Sequence, residues 1–244
     1  MPATNLEYEI QGKIIHFPVE VRDATSGAAT FLVPSSAAAR LIPAEFEIAE
    51  VLPGRGICSL AMVDYKDNDL GDYNEIAVGF MVVPKGSRAR IPYLGTIIDL
   101  MKGRLASHII HMPVDQSFTR EAGATIWGYP KTVQAIEIED LGSHARARLV
   151  CDGEHALTLT LPRGGTRTVA DSSIETLSLI EGVPHRTTAT QRIDGMGFRL
   201  GGAEVELGTG RIADELRSLG FPKPALMCIW MEHMKARFGR PEKL

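Results

Sequence analysis

The chain has 244 residues, 44% hydrophobic and 23% charged, which is enough apolar material for a sizeable buried core and excludes a disordered or fibrous chain. Its 26 basic residues are outnumbered by 30 acidic ones, so no basic excess exists to grip a phosphate backbone and no nucleic-acid partner is expected. No apolar run reaches the roughly 18 residues of a membrane span, and the polar start MPATNLEYEIQGK lacks a charged-then-apolar signal layout. The expectation is a cytoplasmic protein of one domain over residues 1–244, with no membrane partner. Cys58, Cys151 and Cys228 are odd in number and widely spaced; they argue against a disulfide framework and offer no Cys-x-x-Cys zinc pair.

In chain order, the first strand signal is Thr30–Val33. Ser35 and Ser36 then stand as N-caps for a short helix over Ala37–Leu41, with Pro43 beyond it. Strands are predicted at Gly56–Asp64 and Glu75–Val83, with the acidic stretch between them as a solvated hairpin loop. A second helix is predicted over Tyr93–Met101, with Pro92 in its first turn and Gly103 as its stop. A third covers Phe118–Ile126, and a strand covers Thr132–Ile138. Period-2 alternation is plain in Ala145/Ala147/Leu149, Leu157/Leu159/Leu161 and Ala203/Val205/Leu207. Thr166–Arg192 is polar and has no clear period. A fourth helix opens at Thr209 or Gly210, with Ile212, Leu216 and Leu219 on one face. Ala225–Phe238 fits a strand better than a helix because no cap precedes it. Many strands and few helices predict an antiparallel-rich α+β or barrel-like fold, not a doubly wound sheet.

Several motifs have plain structural explanations. Gly208-Thr-Gly210-Arg-Ile-Ala213 matches a dinucleotide fingerprint but has no βαβ unit around it, so it reads as a strand-to-helix turn. His108 and His111 flank two isoleucines in a strand-like run with no third ligand in view, so no metal is expected. The segment Ala122-Gly-Ala-Thr-Ile-Trp-Gly-Tyr-Pro-Lys131 differs. Lys131 follows Trp127, Tyr129 and Pro130 and precedes an alternating strand. A lysine at the mouth of an apolar, aromatic-rich strand is desolvated, which disfavours its ammonium and predicts a depressed pKa little affected by salt. A free amine attacks carbonyl carbon to form an imine.

This segment resembles the active-site stretch of the acetoacetate decarboxylase-like superfamily, which usually reads Gly-Arg-Glu, two variable residues, Gly or Ala, an aromatic, Pro, Lys, Lys. The spacing from Gly123 to Lys131 agrees. His111-Met-Pro-Val-Asp115, Ala39-Arg-Leu-Ile-Pro43 with Phe46-Glu-Ile, and Leu70-Gly-Asp-Tyr73-Asn-Glu75 extend the similarity, in order, over roughly the first 140 residues. The resemblance implies a curved, barrel- or cone-like β structure with outer helices, assembled as a homo-oligomer. It places Lys131 on the Schiff-base lysine and Glu75 on an active-site glutamate. With a small gap, it places Arg22 on an early active-site arginine. Tyr73, Trp127 and Tyr129 join Arg22 as candidate substrate-binding residues. The sequence departs from the pattern at Ala124, Thr125 and Thr132, where the family has charged residues. The family's other glutamate falls near Cys58.

These residues together predict a cofactor-independent lyase that acts on a small keto acid through an imine on Lys131, most simply by decarboxylating a β-keto acid. Glu75 would relay a proton or orient substrate. An aldolase, dehydratase or hydratase of an α-keto acid would use the same imine, and a ligand-binding protein that kept the pocket without turnover is a further alternative. The loss of charge at Ala124, Thr125 and Thr132 predicts a less charged pocket. Such a pocket would favour a longer or aromatic tail over acetoacetate.

Overall fold

The computed structural model describes residues 8–87 and 93–244. Among these, β1 (Tyr8–Ile10), β2 (Lys13–Ile15) and β3 (Val19–Pro34) precede α1 (Ser35–Ala38). There follow β4 (Phe46–Ile48), β5 (Arg55–Asn68), β6 (Tyr73–Pro84), α2 (Leu94–Met101), β7 (Ala106–Val114), α3 (Ser117–Trp127), β8 (Lys131–Val133) and β9 (Ala135–Asp140). The rest is β10 (His144–Cys151), β11 (Glu154–Pro162), β12 (Arg167–Ile180), β13 (Val183–Leu200), β14 (Glu204–Leu207), α4 (Arg211–Ser218), β15 (Met227–Phe238) and β16 (Glu242–Lys243).

Seven strands close on themselves in the order β6-β5-β3-β15-β13-β12-β7, with β7 returning to β6. A second sheet, β14-β11-β10-β9, is entirely antiparallel. The strand-rich, barrel-like expectation therefore holds. Alternation along each barrel strand divides the apolar residues between two cores. On β5, Cys58, Leu60 and Met62 pack with Leu149, Leu157, Leu159 and Leu161 of the second sheet. The intervening Ala61, Val63 and Tyr65 face the barrel interior. On β6, Ile76, Val78 and Phe80 join the outer core, whereas Tyr73, Glu75 and Ala77 face inward. A strand whose two faces are both covered buries its inward carboxylate, and Glu75 is only 4% exposed.

Local differences from the sequence reading have physical reasons. Ser35 begins α1 rather than capping it. Pro34 holds the cap position, the helix is a single turn, and the Ser35 hydroxyl is buried without a hydrogen-bond partner. Thr132–Ile138 is two strands, because Gln134 breaks the run and its amide bonds the Val114 carbonyl at 2.8 Å. The polar stretch Thr166–Arg192 forms the long hairpin of β12 and β13. Glu181 and Gly182, both at positive φ, make its turn. Pro92 lies outside the described residues. The chain's last long strand, β15, lies between β3 and β13, as the missing helix cap suggested. Gly210, at φ 86°, leads from the second sheet into α4, so the Gly-x-Gly run is a strand-to-helix turn. His108 binds the Leu177 carbonyl at 2.8 Å and His111 binds Glu215 at 2.7 Å.

Candidate active site

Lys131 is delivered by a helix, a cap and a short parallel strand within one continuous segment. Gly128 ends α3 in the left-handed conformation at φ 66°, which costs glycine nothing. A Cβ there would also lie 2.4 Å from the Leu179 carbonyl oxygen. The amides of Gly128 and Tyr129 bond back to the carbonyls of Ala124 and Gly123. Pro130 then turns the chain into β8, which pairs in parallel with β7 so that Lys131 sits beside Met112. The lysine stem passes across α3 where that helix has no side chain. A Cβ on Gly123 would lie 2.6 Å from Lys131 Cδ and 2.7 Å from Cε. Alanine favours a helix interior over glycine by about 0.5–1 kcal/mol, so Gly123→Ala should keep the fold while displacing the amine. A misplacement of about 1 Å costs roughly 10²-fold in rate. The expected result is that slowdown in covalent trapping of a keto acid, with an unchanged circular dichroism spectrum. An unchanged trapping rate would show that the stem is not confined by this face.

The amine ends in a buried polar cluster. Lys131 Nζ lies 2.8 Å from Glu75 Oε2, with side chains only 5% and 6% exposed. It donates to Thr119 Oγ1 at 3.1 Å and, more weakly, to the Tyr73 hydroxyl at 3.5 Å. It also sits 4.8 Å from the Tyr73 ring centroid, within cation–π range. Tyr65 stacks on Tyr73 at 4.4 Å between ring centroids. Burial pulls the Lys131 ammonium down, but the Glu75 carboxylate and Tyr73 more than offset it, and its pKa stands at about 12. This corrects the depressed lysine predicted from desolvation alone. The resting group is an ammonium in an ion pair, and Glu75 decides its charge. Burial pushes both Tyr65 and Tyr73 above the ordinary phenol value, so both hydroxyls keep their protons at neutral pH.

A cavity of about 220 Å³ opens onto this cluster. Tyr73, Glu75, Trp127, Tyr129 and Lys131 all line it. Trp127 donates its indole N–H to the Gly239 carbonyl at 3.0 Å, and the Tyr129 hydroxyl pairs with Thr176 Oγ1 at 2.8 Å. Both polar ends are therefore already satisfied, and the rings offer the cavity mainly apolar surface. Arg22 is not in the site. Its neighbours Val19 and Val21 face the cavity, whereas Arg22, 45% exposed, pairs outside with Asp67 and Asp69 at 2.8 and 2.6 Å. Cys58 is also elsewhere, buried in the outer core. Inward positions of β5 carry no carboxylate, and Glu75 is the only acidic residue among the described residues that line the cavity. Ala124, Thr125 and Thr132 do not line it, so their loss of charge is not what makes it apolar. The positions of Arg22 and of the β5 side chains do that. Thr119 and Tyr65 were missed in the sequence. Thr119 lies four residues before Gly123 on one face of α3, a spacing that signals a shared neighbour, and Tyr65 stands directly across from Tyr73 in the β5–β6 register.

The family model for acetoacetate decarboxylase (ADC) matches residues 9–238. The chain belongs to the acetoacetate decarboxylase family. No curated protein sequence matches it significantly. Solved structures share the fold at low identity. An acetoacetate decarboxylase is 14% identical with a TM-score of 0.67, covering 94% of this chain and 90% of that one. The acetoacetate decarboxylase of Legionella pneumophila is 14% identical with a TM-score of 0.68, covering 100% and 92%. The enduracididine biosynthesis enzyme MppR, complexed with the condensation product of pyruvate and imidazole 4-carboxaldehyde, is 13% identical with a TM-score of 0.59, covering 99% and 97%. Family membership and fold together support a keto acid enzyme of the lysine Schiff-base type.

Proposed function

We propose that this protein decarboxylates a β-keto acid through an imine on Lys131. The observation that carries the reading is the buried Lys131–Glu75 pair at 2.8 Å facing an apolar cavity. Proton transfer from Nζ to Glu75 converts the ion pair into a free amine beside a neutral acid, without exchange with solvent. As the apolar part of the substrate enters, it displaces water that stabilises the separated charges, which favours that transfer. The amine adds to the ketone carbon, and Glu75 returns its proton to the departing hydroxyl. One water leaves and a protonated imine remains beside the Glu75 carboxylate. The bond to the β-carboxylate then breaks, its electron pair passes to the imine nitrogen, and carbon dioxide departs neutral. The enamine takes up one proton at carbon, and water hydrolyses the product imine to restore the amine. One proton is consumed per turnover. The Tyr73 ring and Thr119 hydroxyl hold the nitrogen in place through these steps.

Borohydride reduction in the presence of a β-keto acid tests the reading. It should add the mass of the reduced imine to the peptide containing Lys131, and carbon dioxide should evolve without borohydride. If an α-keto acid is consumed with an adduct on Lys131 but no carbon dioxide, the reaction is aldol or dehydration chemistry. If no keto acid gives an adduct, the reading fails.

A further inference from the structure

The wall of the cavity opposite Lys131 shows what else the substrate carries. Around the barrel, β15 lies three strands from β7 in one direction and four in the other, so it faces β7 and the neighbouring Lys131 across the interior. From β15, Met231, Met234, Ala236 and Phe238 line the cavity. Met231 and Met234 are three residues apart, and a regular strand would send them to opposite faces. The register of β15 against β3 shifts between them, and that irregularity brings both thioethers inside. A bulge of this kind re-aims side chains at the cost of ladder hydrogen bonds. Between them, Glu232 pairs outward with Arg163 at 2.6 Å and does not line the cavity. Among the described residues that line the cavity, Lys131 is the only cation, and Glu75 already neutralises it.

We propose that the far wall formed by Met231 and Met234 is a tail subsite. On this view the substrate is a β-keto acid whose remaining substituent is a short, uncharged alkyl chain longer than the methyl of acetoacetate. The proposal rests on the imine reading above and deepens it. The charge argument selects the acid. A carboxylate that stays on the substrate through turnover would remain buried without a partner, which is unfavourable. One that departs as carbon dioxide is buried only until the bond breaks. The same penalty excludes a second carboxylate at the far end. The volume bounds the tail: about 220 Å³ is roughly seven water volumes at ~30 Å³ each. The carboxylate, the methylene and the imine carbon of the bound acid take about five of these volumes, so about two remain; flexible methionines yield a little more, which allows a chain of roughly two to three carbons.

The test is the kcat/KM series for acetoacetate, 3-oxopentanoate, 3-oxohexanoate and 3-oxoglutarate, with borohydride trapping of each. The rate constant should rise roughly fourfold per added methylene, the worth of a buried CH₂. It should fall at least 10²-fold for 3-oxoglutarate, whose second carboxylate reaches the far wall. In Met234→Ala the optimum should move to a longer chain; if that variant does not fold, the wild-type series decides alone. A flat or falling series, or 3-oxoglutarate as the best substrate, overturns the tail subsite while leaving the imine intact. No adduct on Lys131 with any of the four overturns the imine reading and the subsite with it.

Discussion

Replacing Lys131 with methionine should abolish borohydride trapping and lower turnover by more than roughly 10⁴-fold, because no other group can take its place as the covalent electron sink. Methionine preserves the length and apolar character of the stem that crosses Gly123, so the loss reports the amine. The same variant should also be less stable. Glu75 is left buried without the partner that stood 2.8 Å away, and breaking a buried pair from one side costs about 3–5 kcal/mol. Adding Glu75→Gln removes the stranded charge and should recover most of that loss. Urea denaturation of the two single variants and the double variant closes the cycle. Additive losses would mean that the pair is not coupled in the fold, and residual trapping in Lys131→Met would move the nucleophile elsewhere.

The parts of this site that were legible in the sequence are those built locally. Lys131 is placed by a helix, a left-handed glycine and a turn that run consecutively from Gly123, so the motif and the geometry are the same object. Glu75 is reached through the family-like segment Leu70-Gly-Asp-Tyr73-Asn-Glu75, which likewise runs consecutively into the start of β6. Arg22 shows the limit. Whether it faces inward depends on a single step of strand alternation, and β3 carries register shifts at Val21 and Asp23. One residue of slip exchanges the two faces, and no local pattern reveals it. Met231 and Met234 are hidden for the same reason in the opposite sense, since only the irregularity in β15 turns both inward. The lysine charge was misjudged for a related cause. Desolvation is visible in the residues around Lys131, whereas its counter-charge arrives from β6, distant in sequence and brought close only by barrel closure.

That counter-charge has a sharp consequence for pH dependence. In the wild type the reactive amine arises when Nζ passes its proton to Glu75, so the resting and reactive forms of the pair carry the same number of protons. Trapping of a neutral ketone should then be nearly independent of pH through the neutral range and up to the approach of the Lys131 pKa at about 12. Glu75→Gln removes the proton acceptor and the charge that holds the ammonium. Burial, the largest influence on Lys131 and the one that lowers its pKa, then acts with only the weaker effect of Tyr73 against it. The pKa should fall from about 12 by several units, the size of shift seen for buried lysines. The sign is fixed: the ammonium loses its stabilising partner, so the neutral amine gains at every pH. In this variant the proton must leave to solvent, and trapping should rise with pH and level off above the new pKa. Turnover should still fall by roughly 10²-fold or more at every pH, because no acid remains to protonate the departing hydroxyl. Trapping rates between pH 5 and 10 for both proteins decide the matter. A pH-dependent wild type with an unchanged profile in Glu75→Gln would show that Glu75 does not hold the lysine proton.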